Sequence, residues 1–371
     1  MTESHETPVG RVTPKRGAWG LVAAVAVAFP FVAGDFLLFL AASVLALGLY
    51  GAAFDLLYGY TGLLSFGHAV FFGVGAYAAT FAITDFGRGV FVGLAAGFLA
   101  TALVAVGLGL VATRVSSHGF VIVTILIALI ANLAAVSLTS ITGGTDGRSV
   151  AVPPVALPGL GDLSFFDPVF RYFFTLAVVV ASLLVMYRLA NSPVGLAFRM
   201  IRDNERRARM LGYNVTAYKL FAFSASGAFA GLAGVLSTYV TGFVSASEFS
   251  LVVSGDAIIY TLVGGRATLF GAVLGAVLVE GASNFVSELT DAYPLVVGAL
   301  LLLTVVFEPE GLVGVAARMR ERFGSPDATS AADDGARADD GARADDGARA
   351  DDGARAAESE SGTDATGDEH R

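Results

Sequence analysis

RLANSPVGLAFRMIRDNERRARMLGYNVTAYK fills positions 188–219, between two strongly apolar runs, Phe173 to Tyr187 and Leu220 to Val240. It carries seven basic residues (Arg188, Arg199, Arg202, Arg206, Arg207, Arg209 and Lys219) against two acids, Asp203 and Glu205. Positive charge beside membrane-length apolar runs stays on the cytoplasmic side, so this stretch is expected to be a cytoplasmic loop joining two crossings. Ser192 can cap a helix and Pro193 suits its first turn. The helix is predicted to run on from Gly195 to Leu211 and to stop at Gly212. Ala197, Ile201, Ala208 and Leu211 recur at helical spacing, with charge on the remaining faces. Two roles fit this pattern: a positive-inside anchor, or a helix that docks a cytoplasmic partner. Periodicity alone favours the anchor.

Working outward, composition agrees with a membrane protein. The 371 residues are 55% hydrophobic and 15% charged, where a soluble domain carries about 25% charged residues. Mean hydropathy is +0.70. The formal charge of -9 belongs to one segment: from Ser325 onward there are 14 acids and 5 Arg, which leaves 18 acids and 18 bases elsewhere. That segment contains four DDGARA copies, beginning at Asp333, Asp339, Asp345 and Asp351. Acidic, aromatic-free repeats cannot bury a core, so 315–371 is expected to be a disordered cytoplasmic tail.

A crossing helix needs about 20 apolar residues. Ten candidates meet or approach this: Ala18–Ala33, Phe36–Leu57, Gly62–Thr84, Val90–Thr113, Phe120–Ser140, Phe170–Tyr187, Lys219–Val240, Leu251–Gly265, Leu269–Val286 and Pro294–Phe307. The expected fold is therefore an all-α integral membrane protein of about ten crossings, with both termini cytoplasmic. Residues 1–17 form a basic cytoplasmic segment, and the apolar run after it is taken as a first crossing rather than a signal peptide. Ten crossings place Arg114, the 188–219 loop, Arg266 and Arg318/Arg320/Arg322 inside. Asp35, Asp85, the 141–169 loop, Glu248 and Glu288/Asp291 then lie outside. The 141–169 loop, rich in Gly and Pro, is either solvated padding or a docking surface for an external protein, and padding is the default for such composition.

Several chemistries are excluded. There is no Cys, and the four His (positions 5, 68, 118 and 370) make no ligand pair. No GxxxxGK[ST], HExxH or GxSxG motif is present, so neither a phosphate-cradling loop nor a catalytic or metal site is expected. No nucleic-acid partner is expected either. Any ATP used must be bound by another subunit.

Glycine within apolar sequence is the positive signal. YGYTGLLSFGHAVFFGVGAY, Tyr58 to Tyr77, holds Gly59, Gly62, Gly67, Gly73 and Gly75 together with Thr61, Ser65 and His68. Gly255 to Gly275 repeats the theme, and GxxxG spacing recurs at Gly93/Gly97, Gly227/Gly231 and Gly271/Gly275. Such residues either let backbones pack closely or break helices beside a transport path. For the first stretch we favour path lining by Tyr60, Gly62, Ser65, Gly67, His68, Gly73 and Gly75. His68 taken alone more often packs than relays protons. Asp55, Asp256 and Glu280 lie in or near crossings. An ionised group there costs about 2.5–3.5 kcal/mol, so each should face the bundle interior or water.

Five blocks resemble the LivM-type permease of branched-chain amino-acid ABC importers: LALGLYGAAFDLLYGYTGLLSFGHAVFFGVGAYAA (45–79), VTILIALIANLAAVSLTSITGGTDG (123–147), SPVGLAFRMIRDNERRARMLGYNVTAYKLFAFSASGAFAGLAGVL (192–236), TLVGGRATLFGAVLGAVL (261–278) and FEPEGLVG (307–314). The resemblance implies a permease domain over 18–314. It also implies a second, LivH-type permease, two cytoplasmic ABC ATPases that bind the ATP, and an extracytoplasmic binding protein. Asp203 through Gly212 match the loop that docks the ATPase, which turns the 188–219 stretch toward docking through Arg199, Arg202, Asp203, Glu205, Arg206, Arg207 and Gly212. Asp256 stands where Glu is typical and is expected on the path. Asp55 replaces the usual Asn, and Arg266-Ala267 the common Leu-Gly. Urea and short-chain amide importers use similar permeases. A rival of another class is an ion-coupled secondary transporter using Asp55, Asp256 or Glu280.

Overall fold

The structure is a computed structural model and describes residues 24–115, 117–157, 161–287, 298 and 314. The expected segments 1–17, Pro294–Phe307 and 315–371 lie outside the described residues, apart from the single position 298, as does the first part of Ala18–Ala33. The helices are α1 (Asp35–Thr61), α2 (His68–Thr80), α3 (Val90–Ala112), α4 (Ser117–Ser137), α5 (Pro168–Ala190), α6 (Pro193–Asp203), α7 (Glu205–Met210), α8 (Val215–Thr241), α9 (Leu251–Gly264) and α10 (Leu269–Ser287). Among the described residues six are long and apolar enough to cross a membrane: α1, α3, α4 from His118, α5, α8 and α10.

Two expected crossings differ from this length. Gly62–Thr84 does not begin as helix, because Gly62 closes α1 in the left-handed region (φ +75°) with its N–H on the Tyr58 carbonyl. Residues 62–67 then run non-helically before α2, and Phe81–Asp85 continues α2 as a π turn. α9 has 14 residues, about 21 Å of rise, short of the roughly 30 Å hydrocarbon core. The single helix expected from Gly195 to Leu211 is also broken. Asn204 is extended (φ -162°, ψ 99°), and its side chain accepts from the Arg207 N–H to start α7.

α1 and α8 form the centre. α8 packs on α2 and α3 through glycines. A side chain on Gly75 would strike the Gly231 carbonyl oxygen at 2.1 Å, one on Gly234 the Phe72 carbonyl oxygen at 2.0 Å, and one on Gly97 the Val235 side chain at 2.2 Å. Backbones in such contact gain dispersion energy without any hydrophobic drive, which lipid cannot supply between helices. Around them Leu49, Phe54, Phe71, Phe72, Phe120, Phe223 and Leu236 fill the core.

The 141–169 loop is packed on the bundle. Arg148–Ser149 (β1) pairs antiparallel with Phe243–Val244 (β4), and Val155–Leu157 (β2) with Gly161–Leu163 (β3). The Tyr77 hydroxyl donates to the Thr142 carbonyl (2.9 Å), and Phe165 packs among Phe170, Phe174 and Tyr239. Arg148 bonds Asp85 at 2.7 Å and holds that carboxyl below its usual range. Groups expected outside thus meet at one end of the bundle. Arg202 and Arg266, both expected inside, lie at the other, where Arg202 bonds the Gly59 carbonyl and Arg266 lies 4.4 Å over the Tyr58 ring.

Gly75→Val is expected to destabilise the bundle by about 3 kcal/mol or more, because the obstruction is backbone that cannot rotate away. Gly107→Ala, inside α3 with nothing within 4 Å of the added carbon, should leave stability unchanged or raise it by up to about 1 kcal/mol. Thermal unfolding of both variants in nanodiscs reads the difference.

Candidate functional site: the basic hairpin and the last turn of α1

α6 begins as its sequence dictates: Ser192 accepts from the Gly195 N–H and Pro193 occupies the first turn. Ala197, Phe198 and Ile201 are buried beneath it and Ala208 beneath α7, whereas Leu211, assigned to the same stripe, is 65% exposed. The chain then turns at Gly212 (φ +88°), and Asn214 caps α8 by accepting from the Ala217 N–H.

The charged residues divide into two sets. Arg199 donates to the Ala190 carbonyl (3.1 Å) and Arg202 Nη1 to the Gly59 carbonyl (2.8 Å), so both tie α6 to the bundle. Arg202 also pairs with Asp203 at 3.2 Å. Glu205 takes Arg209 on Oε1 (2.9 Å) and Lys219 on Oε2 (2.6 Å). Because the Lys219 side chain is only 6% exposed, this pair fastens α7 to the first turn of α8 rather than decorating a surface. Arg206, Arg207, Arg209, Met210, Leu211 and Gly212 remain exposed. They form a tip with basic and apolar groups side by side, carried on a rigidly attached stem.

The stem grips one turn of α1. A side chain on Gly62 would meet Arg202 Cγ at 3.1 Å, and one on Gly59 would fall 2.1 Å from Asp55 Oδ1 and 2.5 Å from the Ala267 nitrogen. Asp55 is fully buried, and its Oδ1 accepts from the Ala267 N–H at 2.8 Å. Ala267 is the one non-glycine residue at positive φ (+58°) among the described residues. It belongs to the tight turn between α9 and α10, where the Thr268 hydroxyl donates to the Gly265 carbonyl. The last turn of α1 is therefore held by α6 through Gly59 and by the α9–α10 turn through Asp55.

The residues expected to line a path are scattered. Gly62 lies against Arg202, so it joins the hairpin. Ser65 is buried and accepts from the Gly67 N–H (3.2 Å), while the Phe66 N–H donates to Thr124 on α4. His68 is fully buried, its Nε2 2.7 Å from the Ser226 hydroxyl and its ring edge-on to Phe54 and Phe71. Gly73 faces the Phe249 ring and Gly75 faces Gly231. Tyr60 is buried, whereas Asp256 on α9 is half-buried. Sequence reasoning singled out Asp55, Gly59 and Ala267 separately and did not connect them. Asp55 and Ala267 are joined by a bond between positions 212 apart, Ala267 N–H to Asp55 Oδ1, which no local pattern marks.

The six long apolar helices among the described residues, with a basic hairpin at one end, are the build of a multi-pass membrane protein, and the comparisons with known proteins give its class as a permease of the cell membrane. Residues 36–306 match the family described as "Branched-chain amino acid transport system / permease component", and the chain belongs to that family. It is similar to the high-affinity branched-chain amino acid transport system permease protein LivM of Salmonella typhimurium, 31% identical over 78% of this chain and 72% of that one. The LivM protein of Escherichia coli is 30% identical over the same shares. BraD of Pseudomonas aeruginosa is 27% identical over 72% of this chain and 91% of its own length. No solved structure matches.

Asp55→Ala leaves the part-buried Ala267 N–H without its acceptor and is expected to cost about 1–3 kcal/mol. Asp55→Asn, which keeps an oxygen at that position, should stay within about 1 kcal/mol of the parent. Thermal melts of the two variants in nanodiscs give the comparison.

Proposed function

We propose that the chain is one of two permease subunits of an ATP-driven importer that carries branched-chain or similar hydrophobic amino acids across the cell membrane. Ten crossings, with both termini and the 188–219 hairpin in the cytoplasm, are part of this reading. So are a LivH-type second permease, two cytoplasmic ABC ATPases that bind the ATP, and an external binding protein that docks on the 141–169 side. The substrate class follows the names of the LivM and BraD relatives.

The observation that carries the reading is the construction of the hairpin. Its exposed tip offers Arg206, Arg207, Arg209, Met210 and Leu211, a basic rim around apolar anchors of the kind that binds protein partners. Its stem is bonded to α1 and α8 by Arg202 and by Glu205–Lys219. A partner that binds ATP and prefers one orientation of this hairpin shifts the bundle by its differential affinity for the two states. Rigid attachment lets that preference reach α1, and through Asp55 the α9–α10 turn.

Glu205→Gln and Gly212→Val are expected to leave membrane insertion intact and to lower leucine uptake by the reconstituted importer at least tenfold relative to ATP hydrolysed. The first loosens α7 from Lys219. The second places a branched residue at φ +88°, where such residues are strained. Wild-type uptake per ATP in both variants would count against the role assigned to the hairpin.

A further inference from the structure

A groove of about 430 Å³ runs between α3 and α5. Its walls are Phe91, Leu94 and Phe98 on α3 and Val178, Ala181 and Val185 on α5. Phe229 and Leu232 of α8 form the floor. The floor is buried or nearly so, whereas Phe91 is 61% and Val185 55% exposed, so the groove opens sideways. At one end Phe91 and Phe174 bridge α3 to α5, with ring centroids 6.2 Å apart, and farther along Phe98 stands edge-on to Phe229.

The lining favours hydrocarbon over water. Among the described residues Ser182 is its one polar member, and that hydroxyl already donates to the Val178 carbonyl at 2.7 Å. A water needs two to four polar partners, and an unfilled apolar space leaves its walls without dispersion contacts. A crossing helix is a poor occupant. Helices that meet closely in this bundle do so at glycines, as at Gly75, Gly97, Gly231 and Gly234, and no glycine among the described residues lines the groove. From Phe91 to Phe98 the α3 wall rises about 10 Å, a third of the roughly 30 Å that a crossing helix would follow. The N-terminal run reaches α5 at Tyr172, whose hydroxyl donates to the Ala26 carbonyl, and α10 reaches it at Tyr187, beside Phe270. These two positions lie about 180° and 120° around α5 from Ala181, away from the groove.

A charged group stands at the Phe91 end. Arg88 is exposed three residues before Phe91, at most about 10 Å of chain away, and forms no ion pair among the described residues. Asp85, the nearest acid in sequence, is already paired with Arg148. A free guanidinium can hold a phosphate through two parallel N–H donors. We propose that the groove holds one hydrocarbon chain of a phospholipid whose phosphate lies on Arg88. That chain fills the space between α3 and α5 and completes their packing over α8. The assignment is independent of the transport reading.

The test places the full chain, with any subunits that copurify, in phosphatidylcholine nanodiscs. These contain a trace of phosphatidylglycerol bearing a diazirine midway along one chain. After irradiation and digestion, mass spectrometry is expected to find at least fivefold more label in 91–98 and 178–185 than along the exposed α4 residues Leu126 to Leu133. Ala95→Phe and Ala181→Phe, each at an exposed position of the lining, should lower the groove to the α4 level. Val180→Phe, exposed but outside the lining, should label like the parent. Arg88→Gln should at least halve labelling by the phosphatidylglycerol and leave unchanged that by a diacylglycerol with the same diazirine. Equal labelling of groove and α4 would mean passing contact with bulk lipid, and labelling below α4 would mean a protein segment covers the groove. Either result, or labelling that ignores both Phe substitutions, would overturn the assignment. An Arg88→Gln protein labelled like the parent by both probes would overturn the position given to the phosphate.

Discussion

The last turn of α1 is the point on which the architecture depends. Gly59 has no room for a side chain because Asp55 and Ala267 press against it from one direction. Its carbonyl is taken by Arg202 from another. Both bonds use backbone groups at the end of a helix, where the final carbonyls and the N–H groups of a neighbouring turn would otherwise lack partners. Both are part-buried, and leaving either backbone group without a partner there costs free energy, so the attachment does not depend on a large apolar contact. A hairpin fixed in this way moves with the helix to which it is bonded.

The rest of the bundle provides something rigid to move. α8 meets α2 at Gly75, Gly231 and Gly234 with backbone against backbone, and aromatic rings close the gaps around them. Bundles packed this closely shift between discrete arrangements rather than deforming smoothly. The non-helical stretch 62–67, anchored by Thr124 and by its own Ser65, is the one interruption between α1 and α2. α8 is held on both sides of it, to α2 by close glycine contacts and to α1 where the Ser226 hydroxyl donates to the Ala53 carbonyl (2.6 Å).

Much of this was legible in the sequence. The apolar runs, the basic hairpin, the Ser192-Pro193 start and the stop at Gly212 are local signals, and local chemistry produced them. The break at Asn204 was not anticipated, because helical spacing of Ala197, Ile201 and Ala208 continues across it. An Asn that can cap the following helix overrides periodicity. Glycine positions in 58–77 were seen, but pattern alone does not separate a glycine that lines a cavity from one that admits a neighbouring backbone. Gly73 and Gly75 admit a neighbouring ring or backbone. Bonds such as Asp55 to Ala267, 212 positions apart, leave no periodic trace at all.

The central claim is that force applied to the hairpin reaches the bundle through Arg202 and Gly59. The most direct measurement is the number of ATP molecules hydrolysed per leucine accumulated by the reconstituted importer when Arg202 is replaced by Ala. The account predicts that this ratio rises several-fold while hydrolysis itself continues. An unchanged ratio, with the variant fully assembled, would contradict it.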